Sequence, residues 1–252
     1  MDKDIFDLND KVSVIIGASK GIGKESARLL SAKGSKVVIV STSIERLEKT
    51  ASEIKTDTGG KILPIAADAT NEEDVVKLFN QIEAEWGTPD ILINVVGGGK
   101  PTGFLDISVE EWDDIFDYNV KSCFLSAREC IRRMDRGKII NVSSIAGQRC
   151  SLLQGAHYSA SKAAVIGLTR HLAREFGPKG ITVNCLAPGV TLTKRIIKQM
   201  SKEREEELIS SLPIGRLSTA KDQAKVILFM ASSLADYLTG ETISTSGGAL
   251  LG

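Results

Sequence analysis

Val12-Ser13-Val14-Ile15-Ile16-Gly17-Ala18-Ser19-Lys20-Gly21-Ile22-Gly23 passes from a β-branched apolar run straight into a glycine turn. The run Val12–Ile16 reads as a strand, and helical periodicity follows over Gly23–Lys33. Glycines let a backbone approach a pyrophosphate closely, and the start of a helix offers free N–H groups and a positive dipole. The spacing is G-x-x-x-G-x-G, not the common G-x-G-x-x-G, and no Gly-Lys-Ser/Thr follows. Neither the generic dinucleotide fingerprint nor a Walker A loop therefore applies. A plain tight turn between strand and helix would use the same glycines.

Outward from this turn, short β-branched runs alternate with helical patterns, as in a parallel sheet with crossover helices. Strands are expected at Val12–Ile16, Lys36–Ser41, Lys61–Ala66, Ile91–Val95, Lys138–Val142, Thr182–Ala187 and Thr242–Ser244. Helices are expected near Gly23–Lys33, Ile44–Lys55, Glu72–Trp86, Val109–Arg133 and His157–Phe176. Apolar runs such as Val37-Val38-Ile39-Val40 imply strands buried on both faces. The fold class expected is α/β, one doubly wound Rossmann-type domain over residues 1–252 with a mostly parallel sheet of about seven strands, its ligand crevice at the carboxyl ends of the strands. Thr191 to Leu212 stands apart. Ile196, Ile197, Met200, Leu208, Ile209 and Leu212 lie there amid dense charge, a pattern that suits a substrate lid or a solvated helix pair.

The 252 residues are 42% hydrophobic and 25% charged, enough to bury a sizeable core without cross-links. The 32 basic and 32 acidic residues cancel, which argues against a nucleic-acid partner or a membrane field. Cys123, Cys130, Cys150 and Cys185 show no C-x-x-C spacing and only two histidines accompany them, so no metal is expected. Unpaired thiols suit a reducing compartment, and no apolar run reaches a spanning length. A cytoplasmic protein is the expectation.

Tyr158-Ser159-Ala160-Ser161-Lys162 places a phenol and an ammonium four residues apart, one turn apart on one helix face. A neighbouring lysine stabilises a phenolate and fits the tyrosine for proton exchange near neutral pH. Upstream, Ser143 and Ser144 end a strand, and either could supply a second hydroxyl. His157 reads as a packing residue, and Cys150 as an inert thiol unless it is exposed near positive charge.

Together these residues resemble the short-chain dehydrogenase/reductase family over nearly the whole chain. The resemblance implies an NAD(P)-dependent enzyme acting on CH–OH or C=O groups, with Asn119, Ser144, Tyr158 and Lys162 as catalytic residues. Its S-x-x-G pattern selects Ser144 through Ser144-Ile145-Ala146-Gly147. Cofactor contacts are implied for Gly17, Ser19, Lys20, Gly21, Ile22, Gly23, Ser41, Thr42, Asp68, Ala69, Asn94, Tyr158, Lys162, Pro188, Gly189, Thr191 and Thr193. Two departures stand out: Asn94-Val95-Val96-Gly97 replaces the usual Asn-Asn-Ala-Gly, and Thr191 replaces a branched aliphatic residue. Within this resemblance Tyr158 is the general acid/base, Lys162 lowers its pKa and holds the ribose, Ser144 bonds the substrate oxygen, and Asn119 anchors a relay water. The long helices imply a homotetramer, with a second contact near Gly247 and Gly248. A non-catalytic nucleotide-binding scaffold, or a dehydratase or epimerase on the same fold, is the alternative. A scaffold has no need of all four catalytic residues.

The residue ending the second strand reads the ribose 2′ position, where an acid repels a phosphate. Here it is Ser41, followed by Thr42, with Lys20 in the glycine turn and Arg46 in the next helix. The expected cofactor is NADP, with NAD the less favoured choice. Gly98, Ile145, Ala146, Gln154, Gly189, Val190, Ile196 and Met200 are the pocket candidates. Their apolar character favours a hydrophobic substrate: a 3-oxoacyl thioester, a steroid or a small ketone. Arg132, Arg133 and Lys179 suit an acyl carrier protein, or simply complement helix C-termini. Ser41→Asp should move preference toward NAD by ~10-fold or more in relative kcat/KM, through repulsion of the phosphate. Steady-state kinetics with both reduced nicotinamides checks this, and a wild type that already prefers NADH and is unmoved by the substitution contradicts it.

Overall fold

The computed structural model describes residues 5–151, 153–193, 196–197 and 200–251. Its centre is a sheet of seven parallel strands: β1 (Val12–Ile16), β2 (Lys36–Ser41), β3 (Ile62–Ala66), β4 (Ile91–Asn94), β5 (Gly137–Val142), β6 (Ile181–Pro188) and β9 (Thr242–Thr245). The order is β3-β2-β1-β4-β5-β6-β9. Strand order reverses between β1 and β4, where a parallel α/β sheet opens its ligand crevice. A second, two-stranded parallel pair joins β7 (Thr191–Leu192) to β8 (Ser218–Thr219).

The period-2 alternation of each strand sorts its side chains between two cores. Val12, Val14, Ile16, Val38 and Val40 meet Val75, Leu78, Phe79 and Ile82 of α3 (Glu72–Trp86) and Leu125 and Cys130 of α5 (Ser122–Arg133). On the other face Ile15, Val37 and Ile39 meet Ala27 and Leu30 of α1 (Gly21–Ala32), Leu47 and Ile54 of α2 (Ile44–Thr58), and Ile227 of α8 (Ala220–Ala231). Each fully buried Val, Leu or Ile contributes about 1.5–3 kcal/mol, so this two-sided sheet outweighs any single turn.

Local signals set the helix ends. Ser43 accepts from the Arg46 N–H at the start of α2, and Asn71 from the Asp74 N–H at the start of α3. Gly59 closes α2 in the left-handed region at φ 68°. At the β1–α1 turn Gly17 has φ 95°, and a Cβ on Gly23 would lie 2.3 Å from the Gly17 carbonyl oxygen. Only glycines let α1 start this close to the end of β1.

Two sequence expectations need correction. Val109–Arg133 is not one α-helix. It divides into α4 (Val109–Phe116), a π-helical turn at Asp117–Lys121, and α5. The extra residue of a π turn leaves the apolar pattern nearly intact, so periodicity does not see it. Helix α8 was not anticipated, although Thr219 and Asp222 form a capping box that marks its start. In the segment 191–212, a helix α7 (Lys202–Ser210) is present with Leu208 buried, while positions 194, 195, 198 and 199 lie outside the described residues. Among the described residues no helix is long and apolar enough to cross a membrane.

Candidate active site

The carboxyl ends of β1, β4, β5 and β6 surround a cavity of about 250 Å³. Ile22, Val95, Gly97, Gly98, Ser144, Tyr158, Lys162, Pro188, Gly189, Thr191 and Thr193 all line it. The glycine turn, the end of β5 and the start of α6 (Ala156–Phe176), far apart in sequence, therefore meet at one site.

Lys162 is the best-buried cation of this site, 3% exposed, and donates to the Val142 carbonyl at 3.0 Å. Its ammonium lies 6.0 Å from the Tyr158 ring centroid, one helical turn away. Burial pushes its pKa down to about 8, against the opposing pull of the Cys123 and Cys185 sulfurs. The chain makes room by omission. A Cβ on Gly97 would sit 2.5 Å from Lys162 Nζ, and one on Gly147 would sit 2.6 Å from the Lys162 backbone carbonyl carbon. Gly99 lies against the Tyr158 ring, where a Cβ would come within 2.8 Å of Cγ.

Adjacent serines at the end of β5 point differently. Ser143 is buried and donates to the Lys162 carbonyl at 2.7 Å. Ser144 accepts from the Ala146 N–H at 3.1 Å and keeps its proton for a further partner. Asn119, 1% exposed, sits in the π turn. It accepts from the Gly98 N–H and donates to the Gly98 carbonyl, both at 2.9 Å, and also donates to Ser161 Oγ at 3.0 Å. Asn119 thus fixes the loop that follows β4 against α6. π-helical turns recur at functional sites for this kind of placement.

The remaining sequence candidates fall into groups. Lys20, the N-cap of α1, makes no side-chain cap bond, so the first N–H groups of that helix are left for an anion. That bare helix start, together with the close-packed glycines before it, suits the pyrophosphate of a dinucleotide. Thr50 of α2 donates to the Ser19 carbonyl and steadies the turn. Ser41 is half-buried at the end of β2, Thr42 is exposed, and neither Lys20 nor Arg46 pairs with a carboxylate among the described residues. Asp68 is exposed and accepts from the Thr70 N–H and hydroxyl, beside buried Ala69. Thr193 approaches Gly21, where a Cβ would be 3.7 Å from its Cγ2, so the segment after β7 borders the glycine turn. Asn94 lies in the core: it donates to Asn141 Oδ1 at 2.9 Å, and Asn141 donates to Thr169 on α6. Its side chain braces the sheet and does not line the cavity.

His157 is fully buried, with Nε2 3.0 Å from Glu111 Oε1. Cys150 is exposed and lines the cavity, as does Arg149. Arg132 and Arg133 are both engaged by Glu129, at 2.6 and 2.8 Å, and Lys179 lies over the Phe176 ring. In the sequence Gly97 and Gly147 stand out only as parts of motifs, and Gly99 does not stand out at all.

Residues 17–249 match a family described as Enoyl-(Acyl carrier protein) reductase. The 3-oxoacyl-[acyl-carrier-protein] reductase FabG of Vibrio cholerae is 37% identical over 246 residues, 96% of this chain and 98% of that protein. The protein of the same name from Aquifex aeolicus is 35% identical over 244 residues, again 96% and 98% of the two chains. A short-chain type dehydrogenase/reductase from Mycobacterium marinum superposes with a TM-score of 0.91 at 33% identity, covering 99% of this chain and 98% of its own.

The folded-state pKa of Lys162 is depressed, so its contribution to stability is fully present above the ordinary value of 10.5 and is lost as pH falls through about 8. The wild type should therefore gain Tm relative to Lys162→Met as pH rises from about 7.5 to 10. Thermal melts of both proteins across that range check this, and a Tm difference that stays flat contradicts it.

Proposed function

We propose that this chain, which belongs to the short-chain dehydrogenase/reductase family of oxidoreductases, interconverts a carbonyl and a secondary alcohol with NADP(H), Tyr158 being the general acid/base. One observation carries this reading: Ser144, Tyr158 and Lys162 line a single cavity beside the bare N-terminus of α1. A reduced nicotinamide, held by the glycine turn at the start of α1 and by Lys162, would supply the hydride when bound. Tyr158 delivers the proton to the carbonyl oxygen, and Ser144 donates a hydrogen bond to that oxygen as negative charge develops on it. Lys162, held by Val142, stabilises the phenolate left on Tyr158. Asn119 keeps the Gly98 loop and Ser161 in register with α6, so that the path from Lys162 to solvent stays open to a relay water.

The support for NADP is the absence of a carboxylate at the end of β2, with Ser41 and Thr42 there, Lys20 in the glycine turn and Arg46 in α2, neither cation having an acidic partner among the described residues. The two FabG relatives named above are 3-oxoacyl-[acyl-carrier-protein] reductases, and that substrate class suits the apolar lining formed by Ile145, Ala146, Val190 and Ile196. Residues 191–212 act as the lid of a single catalytic domain. They begin at the cavity, with Thr191, Thr193 and Ile196 in its wall.

The assembly proposed is a homotetramer. Phe124, Ile131 and Met134 of the α5 region and Leu168, Leu172 and Phe176 of α6 line an open groove bordered by charged side chains such as Arg128, Asp135 and Glu175, while Val165 is buried. Such a groove is suited to a symmetry mate. Light scattering should report four copies at micromolar concentration, and a monomer overturns this.

Tyr158→Phe removes one hydroxyl and little volume. It should leave fold and cofactor binding intact and lower turnover by at least ~10²-fold, the usual size of a general-acid contribution. Lys162→Ala should be comparably damaging and should also weaken cofactor binding. Steady-state rates at the reduced-nicotinamide absorbance band, over a panel of ketones, measure both, and near-normal activity in Tyr158→Phe refutes the mechanism.

A further inference from the structure

Among the described residues the cavity wall carries two cations, Lys162 and Arg149, and no carboxylate. Lys162 is accounted for by Tyr158 and the cofactor. Arg149 has no part in that chemistry. Its backbone N–H donates to the Ile145 carbonyl at 2.9 Å, which sets it just past the turn that carries Ser144. Its Nη1 donates to the Ala249 carbonyl at 2.6 Å, and its Nε is buried with no acceptor. Among the described residues no carboxylate lies within ion-pair distance of it. A guanidinium offers five donors in a rigid fork matched to an oxyanion, and here one carbonyl orients the fork while most of it stays unpaired. Holding the Ala249 carbonyl needs only one such donor.

We infer that the carbonyl substrate carries an oxyanion, a carboxylate or a phosphate, and that Arg149 binds it. This rests on the oxidoreductase reading above and narrows its substrate class. The substrate is a ketone with an apolar body, held at one end by Ser144 and Tyr158 and at the other by Arg149. Arg149 discriminates among substrates and does not take part in proton transfer.

Two matched pairs test the charge and its source: 4-oxopentanoate against its methyl ester, and 3-oxobutanoyl phosphopantetheine against 3-oxobutanoyl pantetheine. In wild type kcat/KM should favour the anionic member of at least one pair by ~10-fold or more, as a charge-assisted bidentate contact allows. The pair that responds identifies the anion as carboxylate or phosphate. Arg149→Met should bring that ratio close to one, and Arg149→Lys should keep part of it. No preference in either pair, or a preference that survives in Arg149→Met, overturns the assignment.

A readout without turnover uses Cys150, the exposed thiol of the same cavity, the other three cysteines being buried. Mass spectrometry of Cys150 should show the rate ratio of iodoacetate to iodoacetamide falling several-fold from wild type to Arg149→Met, because the cation no longer attracts the charged reagent. An unchanged ratio counts against the anion site even if no ketone is reduced. If the ratio falls as expected while no ketone oxidises reduced nicotinamide, the oxidoreductase reading fails and the anion site stands.

Discussion

Burial of one ammonium group constrains this site more than any other interaction. Lys162 is taken out of water almost completely and donates to the backbone carbonyl of Val142. A charge in that position is costly unless it is held and close to a group it can serve. The surroundings are built accordingly. Gly97 and Gly147 leave the space, Ser143 ties down the helix backbone through the Lys162 carbonyl, and the π turn brings Asn119 against Ser161 one residue earlier. Tyr158 is the neighbour one turn away. The sheet beneath therefore serves as a rigid frame, and only a frame packed on both faces can keep a lysine buried at this position.

Much of that frame was legible from residue type alone. The seven strands of the sheet carry β-branched runs because both faces are covered, and each run was read within a residue or so of its ends. The Tyr158–Lys162 relation was also legible, since a spacing of four on a helix fixes a shared face without any tertiary knowledge. Ser143 and Ser144 could not be separated by residue type, being chemically identical. The separation comes from direction: successive residues leaving a strand point to opposite sides, and only one side holds the lysine carbonyl.

What escaped was mostly absence and irregularity. Gly97, Gly99 and Gly147 act by lacking a Cβ against a side chain or backbone contributed from elsewhere, and a sequence shows the glycine without the partner. The π turn at Asp117–Lys121 adds one residue to a helix whose apolar pattern barely changes. Asn94, which the family resemblance implies as a cofactor contact, has its side chain in a buried amide–thiol–hydroxyl network with Cys123, Asn141 and Thr169, a set that no local pattern joins. Arg149 stood among pocket-lining neighbours without periodicity to mark it. Its meaning depends on Ala249, a hundred residues downstream.

The small parallel pair β7–β8 has a consequence for variation. Thr191 and Ser218 share a hydroxyl–hydroxyl contact at 2.8 Å, and the Ser218 hydroxyl also donates to the Val190 carbonyl. The two ends of the chain between them are clamped at one neck, with α8 starting immediately beyond it. Because loop-closure entropy grows only slowly with length, a closed excursion of this kind tolerates insertion, deletion and change of composition at little thermodynamic expense. The neck isolates the sheet from those changes. One wall of the cavity can thus diversify, and the compounds it admits with it, while the buried lysine and its tyrosine stay where they are.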